Sequence, residues 1–153
     1  EAVNIPVIGA GGIMNGKDVV EALRLGADGV QMGTRFALSE ESSAADSWKE
    51  HVLKAKESDM VLIQSPVGLP GRAIRNSFTT AMDEGSDVRR KGCDQCLKQC
   101  ERNFCIMERL VKAQQGDLTE GLVFSGSEFS RIKKVQSVRE IFEDIKKEIL
   151  QAE

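Results

Sequence analysis

The chain has 153 residues, of which 41% are apolar, and a net charge of −3. It is long enough for a hydrophobic core, and it lacks the basic balance typical of nucleic-acid-binding proteins. No apolar run of 18 residues and no signal-peptide pattern occurs, which argues against a membrane partner. The sequence begins with Glu1 just before an expected strand, so we expect a piece of a longer chain.

The first 36 residues predict a β-α-β unit. Ile5 to Ile8 is a short β-branched run typical of a strand buried on both faces. Asn15 is a good helix N-cap with Asp18 three residues later, and Gly26 is a natural stop, so the pattern predicts a helix of about eleven residues. Ala27 to Met32 then predicts a second strand, parallel to the first.

Two glycine-bearing turns, Gly9 to Gly12 and Gly33-Thr34, follow the two strands. Parallel strands place both turns at one end of the sheet, where α/β folds bind ligands. Glycine lets backbone N–H groups approach an anion, and Thr34, if it caps a short helix, adds a dipole that favours negative charge. The pattern predicts a phosphate between strands seven and eight of a (β/α)8 barrel, with two turns that serve only packing as the alternative.

The remainder of the chain departs from the βα rhythm before returning to it. Ser43 to Glu57 predicts an amphipathic helix, Met60 to Gln64 predicts a short strand, and "SPVGLPGRAIRN" is rich in turn residues. A loop, "GLVFSGSEFSRI", leads into a last helix. Its apolar stripe at spacings of three or four is fit to pack on a barrel, and it consists of Val138, Ile141, Ile145 and Ile149.

The segments "PVIGAGGI" and "ALRLGADGVQMGTRF", with "GRAIRN" and "EGLVFSGSE" further on, resemble the end of flavin-dependent barrels. The similarity is closest to the nitronate monooxygenase family, formerly called 2-nitropropane dioxygenases, and extends to flavin-dependent enoyl-acyl carrier protein reductases. It implies an α/β fold, the C-terminal portion of a flavin-binding (β/α)8 TIM barrel. Residues 1–36 would be barrel strands 7 and 8, residues 37–119 an inserted, mostly helical covering domain with the cysteines, and residues 120–153 the return loop and final helix.

The resemblance implies FMN as the cofactor, with its phosphate held by the backbone of the AGG turn and the QMGT segment. Those positions are Gly11, Gly12, Gln31, Met32, Gly33 and Thr34. The IMP dehydrogenase barrel looks similar but has an acidic residue before the glycine pair, which grips ribose hydroxyls. Ala10 stands there in this chain, and this favours the linear ribityl phosphate of a flavin.

The family resemblance implies a cytoplasmic FMN-dependent oxidoreductase that denitrifies alkyl nitronates. The expected partner is a small-molecule substrate, without nucleic acid or membrane, and a homodimer is the candidate assembly. One alternative is NAD(P)H-dependent reduction of an enoyl thioester on the same scaffold, and another is a non-catalytic metal-binding or interaction fragment. The family's catalytic histidine would lie upstream, so no catalytic residue is assigned and the fragment alone is expected to be inactive.

Three further groups of residues are candidates for a functional role. His51, the only histidine, lies in a charged helical pattern and is interpreted as a surface or packing residue. Arg72 and Arg75 could reach one anion together from a helix, although pairing with acidic neighbours is favoured. Ser125 to Ser127 would form a wall of the flavin site if the resemblance holds, and an ordinary Gly/Ser loop is the alternative.

Four cysteines stand within thirteen residues, and they are Cys93, Cys96, Cys100 and Cys105. On a helix, the first three would share one face. Four thiolates could hold Zn²⁺ tetrahedrally or an iron–sulfur cluster, and reduced thiols that pack or react are the alternative. The spacing matches neither the standard zinc ribbon nor the bacterial ferredoxin run. Without a secretory signal, a reduced cytoplasmic setting is favoured over disulfides.

Overall fold

The structure is a computed structural model, and it describes residues 3–89, 92–93, 95–96 and 98–152. Its helices and strands are, in chain order, β1 (Ile8–Ala10), α1 (Gly16–Arg24), β2 (Gly29–Gln31), α2 (Thr34–Ala37), α3 (Asp46–Lys54), β3 (Met60–Gln64), β4 (Pro70–Ile74), α4 (Ser77–Asp83), α5 (Ile106–Gln114) and α6 (Val138–Ala152). Within these residues, no helix has both the length and the apolar character needed to cross a bilayer.

The chain divides into two compact units. The first contains residues 1–42 and 126–153, and the second contains residues 43–125. Both boundaries fall six residues after the predicted ones, which were placed after residues 36 and 119.

The first unit contains the predicted strand, helix and strand, and this order is confirmed. β1 and β2 pair in parallel, with Ile8 opposite Gly29 and Ala10 opposite Gln31. β1 begins later than predicted, and the expectation of a strand buried on both faces is wrong for this chain, because Ile8 is 57% exposed. Within the described residues, β2 is the only strand that pairs with β1.

The start of α1 follows the predicted capping pattern. The Asn15 side chain accepts a hydrogen bond from the Asp18 N–H at 3.0 Å, and the Asp18 carboxylate accepts from the Asn15 N–H at 3.1 Å. This reciprocal box satisfies two N–H groups that a helix start leaves unpaired. The predicted N-cap is therefore confirmed, although the helix has nine residues rather than about eleven.

A close contact between helices places α1 against α6. A Cβ built on Gly16 would lie 2.4 Å from the Ile145 carbonyl oxygen, so only glycine permits this approach. The Gly16 N–H donates to the Glu148 carboxylate at 2.6 Å. At the other end of α1, Arg24 donates to the Ala152 carbonyl at 2.7 Å. Both ends of α1 thus hold the C-terminal half of α6.

The predicted apolar stripe of α6 faces inward, as expected from its spacing. Ile141 is fully buried, and the other three members of the stripe are half-buried. Phe142 lies beside the stripe and packs on Phe36, with ring centroids 5.5 Å apart.

The second unit is built around an antiparallel pair, β3 and β4, with Met60 opposite Ile74. The β3 prediction is confirmed, whereas the turn-rich reading of the following segment missed β4. A buried cluster backs the hairpin and consists of Val61, Ile63, Ala73, Phe78, Phe104 and Leu122. Phe78 and Phe104 meet edge to face at 5.5 Å, and the Arg109 guanidinium lies 4.6 Å from the centre of the Phe78 ring.

Candidate functional site

The turn after β1 has the backbone geometry that an anion cradle requires. Gly11 and Gly12 have φ values of +88° and +74°, in the left-handed region that side-chain-bearing residues rarely adopt. A Cβ at Gly11 would meet no atom within 4 Å, so open space lies in front of this turn. The backbone of the turn is therefore accessible to a bound group.

The turn after β2 lies at the same end of the parallel pair. Ala10 and Gln31 are the last paired residues of their strands, so Gly11 and Met32 leave the sheet side by side. Gly33 then serves as the N-cap of α2, and its carbonyl accepts from the N–H groups of Phe36 and Ala37. Thr34 is the first helical residue, so the expectation that Thr34 caps this helix is wrong.

The hydroxyl of Thr34 connects the second turn to the loop that returns after residue 125. The Gly126 N–H donates to Thr34 Oγ1 at 2.9 Å, and a Cβ on Gly126 would lie 3.3 Å from that oxygen. A hydroxyl that accepts one hydrogen bond retains its proton for another acceptor. The structure thus brings Gly126 of the predicted loop to the predicted phosphate turn.

An ion pair that the sequence reasoning missed borders the first turn. Arg131 Nη2 lies 2.8 and 2.9 Å from the two carboxylate oxygens of Asp18, and Nη1 donates to the Gly12 carbonyl at 3.4 Å. Burial raises the pKa of Asp18, but hydrogen bonds from Arg131 and from the Met14 N–H outweigh it and leave that pKa below its usual value. The pKa of Arg131 is raised by its hydrogen bond with Asp18. Arg131 therefore neutralises a carboxylate that would otherwise repel an anion at the turn.

A second cation, Arg35, lies in α2 next to Thr34 and is buried. Its guanidinium donates to the Gln136 side chain, whose amide in turn donates to Asp144 at 2.7 Å. Burial lowers the pKa of Arg35, while the charges of Asp144 and Glu148 oppose that shift. This network holds α2 in place beneath the second turn. The only sequence signal for this network was the arginine in the "GTRF" segment.

The single histidine lies in the second unit, on α3. Burial lowers the pKa of His51, although a hydrogen bond with the Arg75 backbone opposes the shift, so the ring is neutral at pH 7. Its Nε2 atom is buried and has no hydrogen-bond partner among the described residues. These surroundings agree with the interpretation of His51 as a packing residue.

The two arginines of "GRAIRN" do not share a helix. Arg72 lies within β4 opposite Leu62, and Arg75 follows the strand. Arg75 instead forms an exposed ion pair with Asp83 at 3.2 Å. The favoured reading, pairing with an acidic neighbour, is confirmed for Arg75.

The cysteine segment is not helical in its described residues, so the prediction of three thiols on one helix face is wrong. Gln95 and Arg102 adopt positive φ values of 50° and 56°, which are incompatible with a continuous helix. Cys105 is the N-cap of α5, and no disulfide joins the four cysteines, all of which are described. Among the described residues, no three metal-ligating side chains stand within ligating reach of one point.

Comparison with known proteins gives the class of protein. The family model described as "Nitronate monooxygenase" matches residues 1–148, so the chain belongs to the nitronate monooxygenase family. The recognition made from the sequence motifs is thereby confirmed. Arg131 and Thr34 lie within the matched range.

Relatives with curated names support the same assignment. A probable nitronate monooxygenase of Staphylococcus saprophyticus is 45% identical over 87 residues, which are 57% of this chain and 24% of that protein. A probable nitronate monooxygenase of Staphylococcus aureus strain Newman is 42% identical over 84 residues, 55% of this chain and 24% of that protein. The matched segment thus spans about a quarter of the length of these relatives.

Solved structures share the fold. FabK from Thermotoga maritima is 34% identical with a TM-score of 0.78, and the match covers 97% of this chain and 45% of that one. A nitroalkane oxidase from Streptomyces ansochromogenes is 24% identical with a TM-score of 0.75, covering 99% of this chain and 41% of that one, and it indicates the fold alone. The mixed α/β class is confirmed, and the chain corresponds to less than half of either structure.

Proposed function

We propose that the paired turns after β1 and β2 hold the phosphate of FMN, and that the complete protein is an FMN-dependent oxidoreductase. The observation that supports this most directly is the open space in front of Gly11, whose positive φ favours glycine. Membership of the nitronate monooxygenase family supports the same cofactor.

The residues around the turns have complementary roles in this proposal. Backbone N–H groups at Gly11, Gly12 and Gly33 would donate to phosphate oxygens, because glycine leaves the approach clear. The Thr34 hydroxyl accepts from Gly126 and would give its own proton to the phosphate. Gln31 and Met32 would contribute through the backbone as β2 ends.

Two ion networks would keep the cradle receptive to an anion. Arg131 compensates the Asp18 carboxylate beside the first turn. Arg35 adds a buried positive charge one residue after Thr34, and Gln136 orients it. Neither cation needs to touch the phosphate to favour it, because charge effects extend over several ångströms in a partly buried site.

Bound FMN would supply electron transfer from an alkyl nitronate to dioxygen, the reaction that membership of the nitronate monooxygenase family favours. Residues of this chain would bind and orient the cofactor through its phosphate. None of them is assigned as the catalytic base, and a small-molecule substrate is the expected partner. We also propose that β1 and β2 are strands 7 and 8 of a closed barrel in the complete protein, and that the complete protein is a homodimer.

Substitution of Gly33 tests the phosphate site with a matched control. In Gly33→Asp the new Cβ meets no atom within 4 Å, and φ at this residue is −92°, so the backbone tolerates the acidic side chain. Two like charges 4 Å apart repel by about 4 kcal/mol near a protein surface. In the full-length protein we expect the FMN dissociation constant to rise by about 100- to 1000-fold.

Asparagine has the same shape as aspartate without the charge, so Gly33→Asn should raise the FMN dissociation constant far less. Fluorescence titration with FMN measures the dissociation constants of the wild-type, Gly33→Asp and Gly33→Asn apoproteins. Equal FMN affinity for the aspartate and asparagine variants would contradict the phosphate assignment.

The likeness to FabK supports a second candidate, NAD(P)H-dependent reduction of an enoyl thioester, as a family relation. The two reactions are distinguished on the FMN-loaded full-length protein. Nitronate-dependent oxygen uptake without NAD(P)H supports the first, and thioester-dependent NAD(P)H consumption supports the second. Protein that retains FMN and catalyses neither reaction would contradict both.

A further inference from the structure

We propose that residues 126–132, the return segment, hold the turns after β1 and β2 in the conformation that binds phosphate, with Arg131 as the positioning residue. FMN binding and the closure of this segment would then be coupled. The inference rests on the proposed function and extends it to residues that need not touch the phosphate. All the residues involved belong to the first unit.

The turn after β1 needs an outside restraint, because two successive glycines have an unusually large number of accessible conformations. Gly11 and Gly12 both have positive φ, and a Cβ at Gly11 would meet no atom within 4 Å. No described neighbour therefore packs against Gly11. A turn that is free to move loses conformational entropy when a ligand fixes it, and this loss weakens binding.

Arg131 supplies this restraint through two contacts. Its Nη1 atom donates to the Gly12 carbonyl at 3.4 Å, which limits rotation of the peptide group that follows Gly12. Its Nη2 atom donates to both Asp18 carboxylate oxygens, at 2.8 and 2.9 Å. The same carboxylate accepts from the N–H groups of Met14 and Asn15, at 2.8 and 3.1 Å. Arg131 thus holds the turn at Gly12 and at the residues that follow it.

The return segment also contacts the turn after β2. The Gly126 N–H donates to Thr34 Oγ1 at 2.9 Å. A Cβ on Gly126 would lie 3.3 Å from that hydroxyl and 3.9 Å from Met14 Cε, so Gly126 approaches the chain that leaves each of the two strands. One segment therefore sets the position of both turns relative to each other, which a phosphate bound to both turns requires.

The return segment has the rigidity that such a support needs. Phe129–Arg131 form a short 3₁₀ helix, and Phe129 and Ile132 are 1% and 6% exposed. The Phe129 N–H donates to the Gly126 carbonyl at 3.3 Å, and the Ile132 N–H donates to the Phe129 carbonyl at 3.0 Å. Arg131 therefore lies in a segment that is anchored by buried side chains and by its own hydrogen bonds.

Charge makes Arg131 difficult to replace. Its Nη1 atom lies 3.8 Å from Glu128 Oε2, and a Cβ on Gly12 would lie 3.5 Å from Glu128 Cγ. Without Arg131, the carboxylates of Asp18 and Glu128 would both stand uncompensated beside a turn that receives an anion. Loss of the guanidinium would therefore release the turn and also repel the phosphate.

The test compares FMN with riboflavin, which lacks the phosphate, on the full-length apoprotein. Arg131→Gln should raise the FMN dissociation constant about tenfold, within the usual range for coupled sites, and leave that of riboflavin unchanged. Lys134→Gln removes one exposed positive charge from the chain just after the segment and should change neither constant. A general loss of structure would weaken the binding of both flavins.

A second measurement covers the case in which Arg131→Gln does not fold. Coupling is reciprocal, so FMN must stabilise the closed segment as much as the closed segment favours FMN. In the wild-type protein, amides of residues 126–132 should exchange with solvent about tenfold more slowly when FMN is bound than when riboflavin is bound, each at saturation.

The outcomes separate this inference from the phosphate site. If Gly33→Asp weakens FMN binding but Arg131→Gln behaves like Lys134→Gln, the inference is wrong and the phosphate site stands. Equal weakening of FMN and riboflavin, or equal exchange of the segment with both flavins, would also overturn the inference. If Gly33→Asp binds FMN as tightly as Gly33→Asn does, the phosphate site and this inference both fail.

Discussion

The two strand pairs of this chain have opposite relations to solvent. β3 and β4 are backed by a closed core in which Phe104 is only 2% exposed. In β1, Ile8 is 57% exposed, and Val7 just before that strand is also exposed, while Val30 of β2 is half-buried. Antiparallel neighbours can complete their packing locally, whereas parallel strands normally occur in sheets covered on both faces. The difference shows that the second unit contains its own core, and we expect that the strands of the first unit pair with further strands in the full-length protein.

The largest effect is expected in the closed core. Phe104→Ala removes a ring that packs on Phe78 and leaves a cavity. Substitutions of this kind cost about 3 to 5 kcal/mol. Urea unfolding should show a matching decrease in the free energy of unfolding. Met107→Ala, at an exposed position nearby, is the control and should change it little. A Phe104→Ala protein as stable as the control would mean that the second unit has no core of its own.

The exposed strand should respond according to the length of the chain. In the 153-residue chain, Ile8→Ala should change the free energy of unfolding by less than about 0.5 kcal/mol, because the side chain is already exposed. In the full-length protein, where neighbouring strands would cover it, the same substitution should cost about 2 to 5 kcal/mol.

Hydrogen exchange measures the difference between the two strand pairs independently. In the 153-residue chain, amides of β1 and β2 should exchange faster than those of β3 and β4. The first two strands have only three residues each, whereas β4 has five and a further partner in its bridge with Phe124. Equal protection of both pairs, or equal Ile8→Ala effects at both lengths, would contradict the need for further strands.

A smaller effect is expected at the start of α1. Asp18→Asn removes the carboxylate that accepts from two backbone N–H groups and pairs with Arg131. The expected cost is about 1 kcal/mol at neutral pH. Because the folded pKa of Asp18 is lowered, its contribution is present above the unfolded pKa and is lost as pH falls through the folded one.

The stability difference between wild type and Asp18→Asn should therefore shrink below about pH 4. This decrease is measured from the urea unfolding midpoints of both proteins across the acidic pH range. Asp87→Asn is the control, since its pair with Arg89 is exposed to solvent, where ion pairs contribute little, and the substitution should change the midpoint little. A difference that persists unchanged at low pH would show that the carboxylate charge is not responsible.

Local patterns predicted the first unit well. The capping pair at Asn15 and the apolar stripe of α6 depend on residues close in sequence, so periodicity and cap chemistry identify them. The position of β1 was less accurate, because exposed Ile5 has the same β-branched character as a strand residue. Arg131 was missed because its partner Asp18 lies 113 residues away, and no local pattern signals such a pair.

The second unit was predicted less completely for the same reason. β4 contains Pro70 and Gly71, which resemble a turn, and it becomes a strand because β3 supplies its hydrogen bonds. Gly71 also fits there because a Cβ would lie 2.5 Å from the Phe124 ring. The cysteine segment has the 3-and-4 spacing of a helix face, but the left-handed residues Gln95 and Arg102 interrupt it. Side-chain spacing alone does not reveal those turns.

The hydrogen bond between Gly126 and Thr34 has a consequence for the evolution of the chain. It joins residues 92 positions apart, and the bridge between Ser39 and Gln136 closes the same gap a second time. The segment between these contacts is therefore a large loop whose two ends are fixed by residues of the first unit. The entropy of closing such a loop grows only with the logarithm of its length, by about 0.6 kcal/mol for each doubling. Related chains could lengthen, shorten or replace this segment at little thermodynamic cost while the turns that face the proposed cofactor stay in register.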